Sequence, residues 1–167
     1  MKKLWCLSFE DFKRIAYKSE WDLEVPKEIT VISINNGKNT SPPEEYHVCK
    51  NSENVLNLDF DDCDPISNGL PDNIETYECS DGTILEFFTD KMANEAVKFI
   101  ESNMNRNKID GVNFVIHCSA GISRSQAFVK FIKNVYSDYN WETNPNNPCI
   151  HPNGFVYQKL MQAFRSR

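Results

Sequence analysis

GVNFVIHCSAGISRS, residues 111–125, reads as a buried strand, a tight loop and the first turn of a helix. A largely apolar run over 112–116 leads into His117 and Cys118, and Arg124 opens a segment with helical apolar periodicity. The apolar positions of that segment are Ala127, Phe128, Phe131, Ile132 and Val135. The stretch therefore predicts a strand that turns directly into a helix, with a cysteine at the turn.

The loop between Cys118 and Arg124 has the chemistry of an anion site. A cysteine at its start faces the loop N–H groups and the positive end of the helix, so its thiol should ionise below the ordinary pKa of ~8.5. The same groups would bind phosphate or another tetrahedral oxyanion. Arg124 adds a planar fork of donors that can hold two phosphate oxygens at once.

The pattern His-Cys-x-x-Gly-x-x-Arg-Ser over residues 117–125 resembles the signature loop of the cysteine-dependent protein tyrosine and dual-specificity phosphatases. The resemblance is sharp over about residues 111–135 and weaker elsewhere. It implies the α/β sandwich of that family and hydrolysis of phosphate monoesters through a phosphocysteine intermediate. No metal or other cofactor is needed for that reaction.

The resemblance also implies a role for each residue of the loop. Cys118 would attack phosphorus, while Arg124 and the loop N–H groups would stabilise the developing charge. The loop residues that would surround the phosphate are Ser119, Ala120, Gly121, Ile122, Ser123 and Arg124.

Three neighbours of the nucleophile would have supporting roles. Gly121 allows close backbone approach or a positive φ. His117 would help to hold the loop geometry, although a buried histidine of ordinary structural type fits the same position. Ser125 matches the hydroxyl that eases thiolate departure in the family, and is otherwise a first-turn helix residue.

The general acid must come from outside the loop, which has no carboxylate. The strand predicted over 55–60 runs into Asp61-Asp62, at the sheet edge where the loop should also lie. We favour Asp62, then Asp61. The less favoured carboxylates are Asp64, Asp59 inside the strand, and Asp72 and Asp81 on the long segment that follows. Alternatively, these acids only end the strand and turn the chain.

Cys63, next to the proposed acid, is a candidate for a reversible disulfide with Cys118. An ordinary thiol is the simpler interpretation of this residue. With six scattered cysteines and no export signal, the chain is expected to keep free thiols in the cytoplasm.

The rest of the chain predicts alternating strands and helices. Strands are predicted over 4–7, 29–34 and 55–60, with an approach strand over 83–88; helices are predicted over 9–18, 90–103, from 124 to about 139, and 153–165. Ser8 with Asp11, and Thr89, should cap the first two helices. Residues 140–152 are predicted as a linker. Alternation implies crossover connections, hence an α/β fold with a mostly parallel central sheet flanked by helices.

Length and charge restrict the remaining possibilities. The 167 residues predict a single phosphatase-like domain, and the net charge is −6. Fourteen acids between Glu44 and Glu95 face only two lysines, which disfavours nucleic acid and anionic lipid as partners. No window reaches the ~18 apolar residues of a membrane-spanning helix. We expect a monomer that acts on a phosphoprotein or another phosphomonoester.

Three functions remain open at this point. The first is a phosphatase for protein phosphotyrosine, favoured over a phosphoinositide substrate because the loop interior lacks lysine. The second is a rhodanese-like sulfurtransferase or arsenate reductase, which would also use a loop cysteine. The third is a non-catalytic module that binds phosphate or a phosphoprotein. Dual specificity depends on pocket depth, which the sequence does not determine.

Overall fold

The computed structural model describes residues 2–18, 25–37, 49–106, 113–144 and 151–167. The strands in these ranges are β1 (Lys2–Ser8), β2 (Ile29–Asn35), β3 (Val55–Asp59), β4 (Thr76–Glu78), β5 (Ile84–Glu86), β6 (Asn113–Cys118) and β7 (Trp141–Thr143). The helices are α1 (Phe9–Lys18), α2 (Asp90–Arg106), α3 (Arg124–Val135) and α4 (Gly154–Arg165). None of these helices has the length and apolar character needed to cross a membrane.

Five strands form one sheet in the order β3-β2-β6-β1-β7, and each neighbouring pair is parallel. This confirms the predicted α/β class with a mostly parallel central sheet. Because the strands share a direction, the carboxyl ends of β1, β2, β3 and β6 meet at one edge. Ser8 pairs with Cys118 at that edge, so the predicted nucleophile lies at the end of the middle strand.

The two faces of the sheet are covered unequally. Helices α2, α3 and α4 form a connected layer against one face, where Phe114 and Ile116 of β6 are fully buried. On the other face, Val115 packs with Phe12 and Ala16 of α1. The alternation along β6 therefore buries successive side chains in two different clusters, as expected for a central parallel strand. Full burial of each large apolar side chain contributes about 1.5–3 kcal/mol.

Helix α1 begins as its sequence predicts. The Ser8 hydroxyl accepts a hydrogen bond from the Asp11 amide at 3.1 Å and donates to the Asp11 carboxylate at 2.8 Å. This satisfies one N–H group of the first turn. Thr89 does the same for α2, since its hydroxyl accepts from the Met92 amide at 3.2 Å. Both predicted caps are confirmed.

The region after α3 differs from the prediction. Helix α3 ends at Val135 instead of near residue 139, and the expected linker contains strand β7, which pairs with β1. Aromatic packing accounts for the difference: the rings of Tyr139 and Trp141 stack at 5.7 Å, and the Trp141 indole donates to the Tyr136 carbonyl at 3.1 Å. These contacts turn the chain early and place Trp141 at the start of β7, the edge strand of the sheet. Most of the predicted linker that remains lies outside the described residues.

The long segment after the acidic cluster is also more ordered than predicted. It forms the antiparallel hairpin β4–β5, whose turn contains Gly82 at φ +83°. The approach strand predicted over 83–88 is the shorter β5. The Asp61 amide donates to the Glu86 carbonyl at 2.7 Å, which attaches the end of this hairpin next to the end of β3.

Candidate functional site

The site is built on the loop 119–123, which joins the carboxyl end of β6 to the start of α3. Cys118 is the last residue of β6 and is only 2% exposed. The Phe9 amide donates to the Ser119 carbonyl at 3.2 Å, so the loop is attached to the end of β1. The predicted strand, loop and helix therefore form as expected, with the helix beginning at Arg124.

Gly121 lets this loop approach the neighbouring strand. Its φ is +71°, and a Cβ at this position would lie 2.7 Å from the carbonyl carbon and oxygen of Leu7 and 2.8 Å from the Ser8 nitrogen. Backbone atoms cannot move aside as a flexible side chain can. Glycine is therefore required here for two reasons, the left-handed backbone and the close contact.

Replacing Gly121 with alanine is expected to destabilise the protein by more than the left-handed conformation alone costs. That conformation costs about 1–2 kcal/mol in a non-glycine residue, and the clash with Leu7 adds to it. Gly69→Ala is the matched control, since Gly69 has the same φ of +71° with nothing within 4 Å of the added carbon. Thermal unfolding should show a larger fall in Tm for Gly121→Ala; equal falls would contradict the close contact.

The Cys118 thiol is surrounded by donors. Its Sγ lies 3.1 Å from the hydroxyl oxygen of Ser125. Burial by itself raises the pKa of this thiol, but hydrogen bonds from the Ser125 hydroxyl and amide, the charge of Arg124 and the Gly121 amide together lower the pKa below its ordinary value. These contacts therefore stabilise the thiolate relative to its energy in ordinary surroundings, which is the direction expected from the sequence.

The Arg124 side chain is held by hydrogen bonds to main-chain carbonyls at the carboxyl edge of the sheet. It is 4% exposed, and its Nη1 donates to the carbonyls of Asn35 at 3.0 Å and Phe60 at 2.6 Å. Asn35 is the last residue of β2 and Phe60 directly follows β3, so the carboxyl ends of two strands fix the guanidinium. Nε is buried and has no acceptor among the described residues. A bound oxyanion could therefore accept from Nε, which lies on the same edge of the guanidinium as Nη2.

Asn36 lies outside the loop, binds two of the residues at its ends, and was not predicted as a site residue. Its side-chain oxygen accepts from Arg124 Nη2 at 2.8 Å and from the Ser119 hydroxyl at 3.3 Å. Nη2 also donates to the Ser119 hydroxyl at 3.0 Å. Asn36 directly follows the carboxyl end of β2, where a turn by itself favours asparagine, so its residue type does not indicate this contact.

Asp62 lies beside the loop and is exposed. Its Oδ1 accepts from the Ser123 hydroxyl at 2.7 Å and from the Asn153 side-chain amide at 2.9 Å. The main-chain N–H of Asn153 also donates to the Ser123 carbonyl at 3.1 Å. The side-chain oxygen of Asn153 accepts from the Val156 amide and so caps α4. Asp62, the carboxylate that the sequence favoured, is therefore hydrogen-bonded to the loop 119–123. Asn153 was missed, because its predicted place at a helix start already explains its type.

The other acids of the cluster have structural contacts. Asp61 is buried, and its carboxylate accepts from the amides of Gly37 at 3.1 Å and Glu86 at 2.8 Å. Asp64 accepts from the Ile66 amide at 2.9 Å, which caps a short 3₁₀ turn. Asp81 accepts from the Thr83 amide in the hairpin turn at 2.9 Å. Asp72 is exposed, and Asp59 ends β3 within the sheet.

The structure also places the two remaining residues that the sequence singled out, His117 and Cys63. His117 is fully buried, and its ring stacks on Phe12 at 4.2 Å on the face of the sheet covered by α1. Cys63 is a half-buried free thiol, and burial followed by the charges of Asp61 and Asp62 raises its pKa. The thiol that the structure brings into the site is Cys6, which lies 3.1 Å from the Ser125 hydroxyl.

The donor set of the loop fits an oxyanion, not a cation. Across the described parts of the chain, no group of three or more His, Cys, Asp or Glu side chains is arranged to hold a metal ion. A scan against known family models found no match, and searches of curated proteins and of solved structures found no similar protein. The chemistry of this site therefore has to be argued from its own residues.

Proposed function

We propose that this protein is a cysteine-dependent phosphatase with the protein tyrosine phosphatase-like fold of the dual-specificity type. The observation that carries the proposal is the shared loop of Cys118 and Arg124. The two ends of this loop carry a thiol with a lowered pKa and a buried guanidinium whose Nε has no acceptor among the described residues. Asp62, hydrogen-bonded to Ser123 of that turn, supports the same proposal.

The first half of the reaction uses all three groups. The Cys118 thiolate attacks phosphorus and forms an S–P bond as the P–O bond to the leaving group breaks. Arg124 and the loop N–H groups stabilise the charge on the equatorial oxygens. Nη1 stays on its two carbonyls, while Nη2 exchanges Asn36 for a phosphate oxygen. Asp62 gives its proton to the leaving oxygen.

The second half of the reaction regenerates the thiolate. Asp62, now ionised, takes a proton from water as the water oxygen attacks phosphorus. The S–P bond breaks, inorganic phosphate leaves, and the electron pair returns to the Cys118 sulfur. The Ser125 hydroxyl, 3.1 Å from that sulfur, stabilises the departing thiolate.

The substrate class we propose is protein phosphotyrosine. The loop interior carries no lysine for additional phosphate groups. Ile122 is 48% exposed within the loop and offers an apolar surface for an aromatic ring. Initial rates on matched peptides with phosphotyrosine, phosphoserine or phosphothreonine test this choice. Comparable rates on all three would make the protein a dual-specificity enzyme.

Asp62→Asn tests the assignment of the acid. Asparagine keeps an oxygen that accepts from Ser123 and Asn153, so it removes the proton but not the contacts. We expect kcat on para-nitrophenyl phosphate to fall about 10²–10³-fold, within the range for general acid catalysis. The fall in rate at alkaline pH that a general acid produces should disappear.

Asp61→Asn and Asp64→Asn are the controls for this experiment. Asp61 accepts main-chain N–H groups, and Asp64 caps a turn, so both variants should retain the alkaline limb of the pH–rate profile. Asp61→Asn should instead lower Tm. Loss of that limb in Asp61→Asn, or its persistence in Asp62→Asn, would contradict the assignment.

Two other reactions of loop cysteines are tested with the same protein. Sulfur transfer from thiosulfate to cyanide would indicate a rhodanese-like enzyme, and thiol-dependent arsenate reduction would indicate an arsenate reductase. Binding of a phosphotyrosine peptide with no turnover would indicate a non-catalytic module. Any of these results, without hydrolysis of para-nitrophenyl phosphate, would overturn the proposed function.

A further inference from the structure

A second cysteine lies behind the nucleophile. Cys6 is on β1, is 3% exposed, and places its Sγ 3.1 Å from the Ser125 hydroxyl oxygen and 3.4 Å from the Gly121 carbonyl. The same hydroxyl lies 3.1 Å from the Cys118 sulfur. One hydroxyl therefore connects two thiols that come from adjacent, parallel-paired strands.

The hydrogens on these three groups can be counted. A serine hydroxyl has one hydrogen and two acceptor lone pairs, and a thiolate has only acceptor capacity. If Ser125 gives its hydrogen to Cys118, its oxygen is left to accept from the Cys6 S–H. If Ser125 gives its hydrogen to Cys6, the Cys118 thiolate loses that donor. The state of Cys6 thus affects which way the hydroxyl points.

We propose that Cys6 is a positioning residue for the nucleophile, whose thiol donates to the Ser125 oxygen and directs the Ser125 hydrogen at Cys118. This inference rests on the proposed function, since it assigns Cys6 a part in the same reaction. The chain of donors runs from Cys6 through Ser125 to the thiolate. A hydrogen bond to a charged acceptor is stronger than one between neutral groups, so the thiolate favours this direction.

Cys6→Ala and Cys6→Ser separate donation from packing. Alanine removes the donor, whereas serine restores one in the same place. If Cys6 only fills space, the buried polar serine should be no better than alanine. If Cys6 donates, serine should be close to wild type and alanine should be impaired.

Titration of the thiolate gives a readout that does not need phosphatase activity. The absorbance of the Cys118 thiolate near 240 nm is followed against pH, as the difference between each protein and its Cys118→Ser counterpart. The midpoint should move to higher pH in Cys6→Ala and return in Cys6→Ser. On para-nitrophenyl phosphate, kcat of Cys6→Ala should fall about 3- to 10-fold, the range for loss of one hydrogen bond.

Coupling to Ser125 is the sharpest test. If Cys6 acts through that hydroxyl, Cys6→Ala should cause no further shift in a Ser125→Ala background. Equal shifts in both backgrounds, or an unchanged midpoint in Cys6→Ala, would overturn the inference. Cys6→Val, which suits a strand and lacks a donor, takes the place of Cys6→Ala if circular dichroism shows that the alanine variant does not fold.

The outcomes also distinguish this inference from the proposed function. A low thiolate midpoint that responds to Cys6→Ala, in a protein that hydrolyses no phosphate ester, would support the positioning role and overturn the phosphatase. Hydrolysis of a phosphate ester by a protein whose thiolate midpoint does not change in Cys6→Ala would support the phosphatase and overturn the positioning role. A wild-type midpoint at the ordinary thiol value would overturn the positioning of a thiolate altogether.

Discussion

Cys118→Ser is expected to lower hydrolysis of para-nitrophenyl phosphate by about 10⁴-fold or more, as removal of the nucleophile does in other covalent enzymes. The serine hydroxyl stays protonated at neutral pH, whereas the lowered pKa of Cys118 makes its thiol ionise readily. The loop amides and Arg124 remain in place, so the variant should still bind inorganic phosphate. Release of para-nitrophenol and calorimetric titration with phosphate measure the two properties.

The control for this variant is Cys79→Ser. Cys79 is a half-buried free thiol on the segment between β4 and β5, outside the loop that holds Cys118. The Cys79→Ser substitution should leave the rate of para-nitrophenyl phosphate hydrolysis unchanged. Retention of more than a tenth of wild-type activity in Cys118→Ser would show that another group is the nucleophile.

Arg124→Lys should reduce kcat/KM about 10³-fold or more, which is the lower end of the effect of an arginine on a transferring phosphoryl group. Lysine keeps the charge but has no planar fork, so it cannot bind the carbonyls of Asn35 and Phe60 and a phosphate at once. The effect should fall on both kcat and phosphate affinity, because the guanidinium contacts the anion throughout the reaction.

Stability has to be measured beside activity in this variant, since two buried carbonyls also lose a donor. We expect a lower Tm, with loss of activity at temperatures far below the unfolding transition. Arg165→Lys is the control, because Arg165 is exposed in the last turn of α4. A loss of less than tenfold in Arg124→Lys would mean that the guanidinium only supports the fold.

Local features of the sequence determined most of the elements. Ser8 with Asp11 and Thr89 start their helices through contacts within three residues, and the β-branched and apolar runs of β2 and β6 can be read directly. Strands β4 and β7 were not predicted, and β5 is shorter than the predicted strand, because each of these strands has only three residues. Strands this short depend on a partner from elsewhere in the chain and have too few residues for a pattern.

The candidate site divides in the same way. The spacing of Cys118, Gly121 and Arg124 could be read from the sequence, because all three lie within the nine-residue pattern 117–125. From the sequence Asp62 ranks above Asp61, but the two residues are adjacent and chemically identical, so no local pattern separates their roles. Tertiary contacts separate them: one carboxylate is used by main-chain amides, and the other is held by Ser123 and Asn153.

By itself, therefore, the sequence determined the loop between Cys118 and Arg124 and the alternation of strands and helices around it, since both depend on neighbours a few residues apart. Only the tertiary structure decided which distant side chains serve that loop. Asn36, Asn153 and Cys6 come from three separate segments, and each has a residue type that a turn, a helix cap or a buried strand would also favour. Their contacts with the loop form at the edge where the parallel strands end. A local sequence pattern does not show which distant segments come together at that edge.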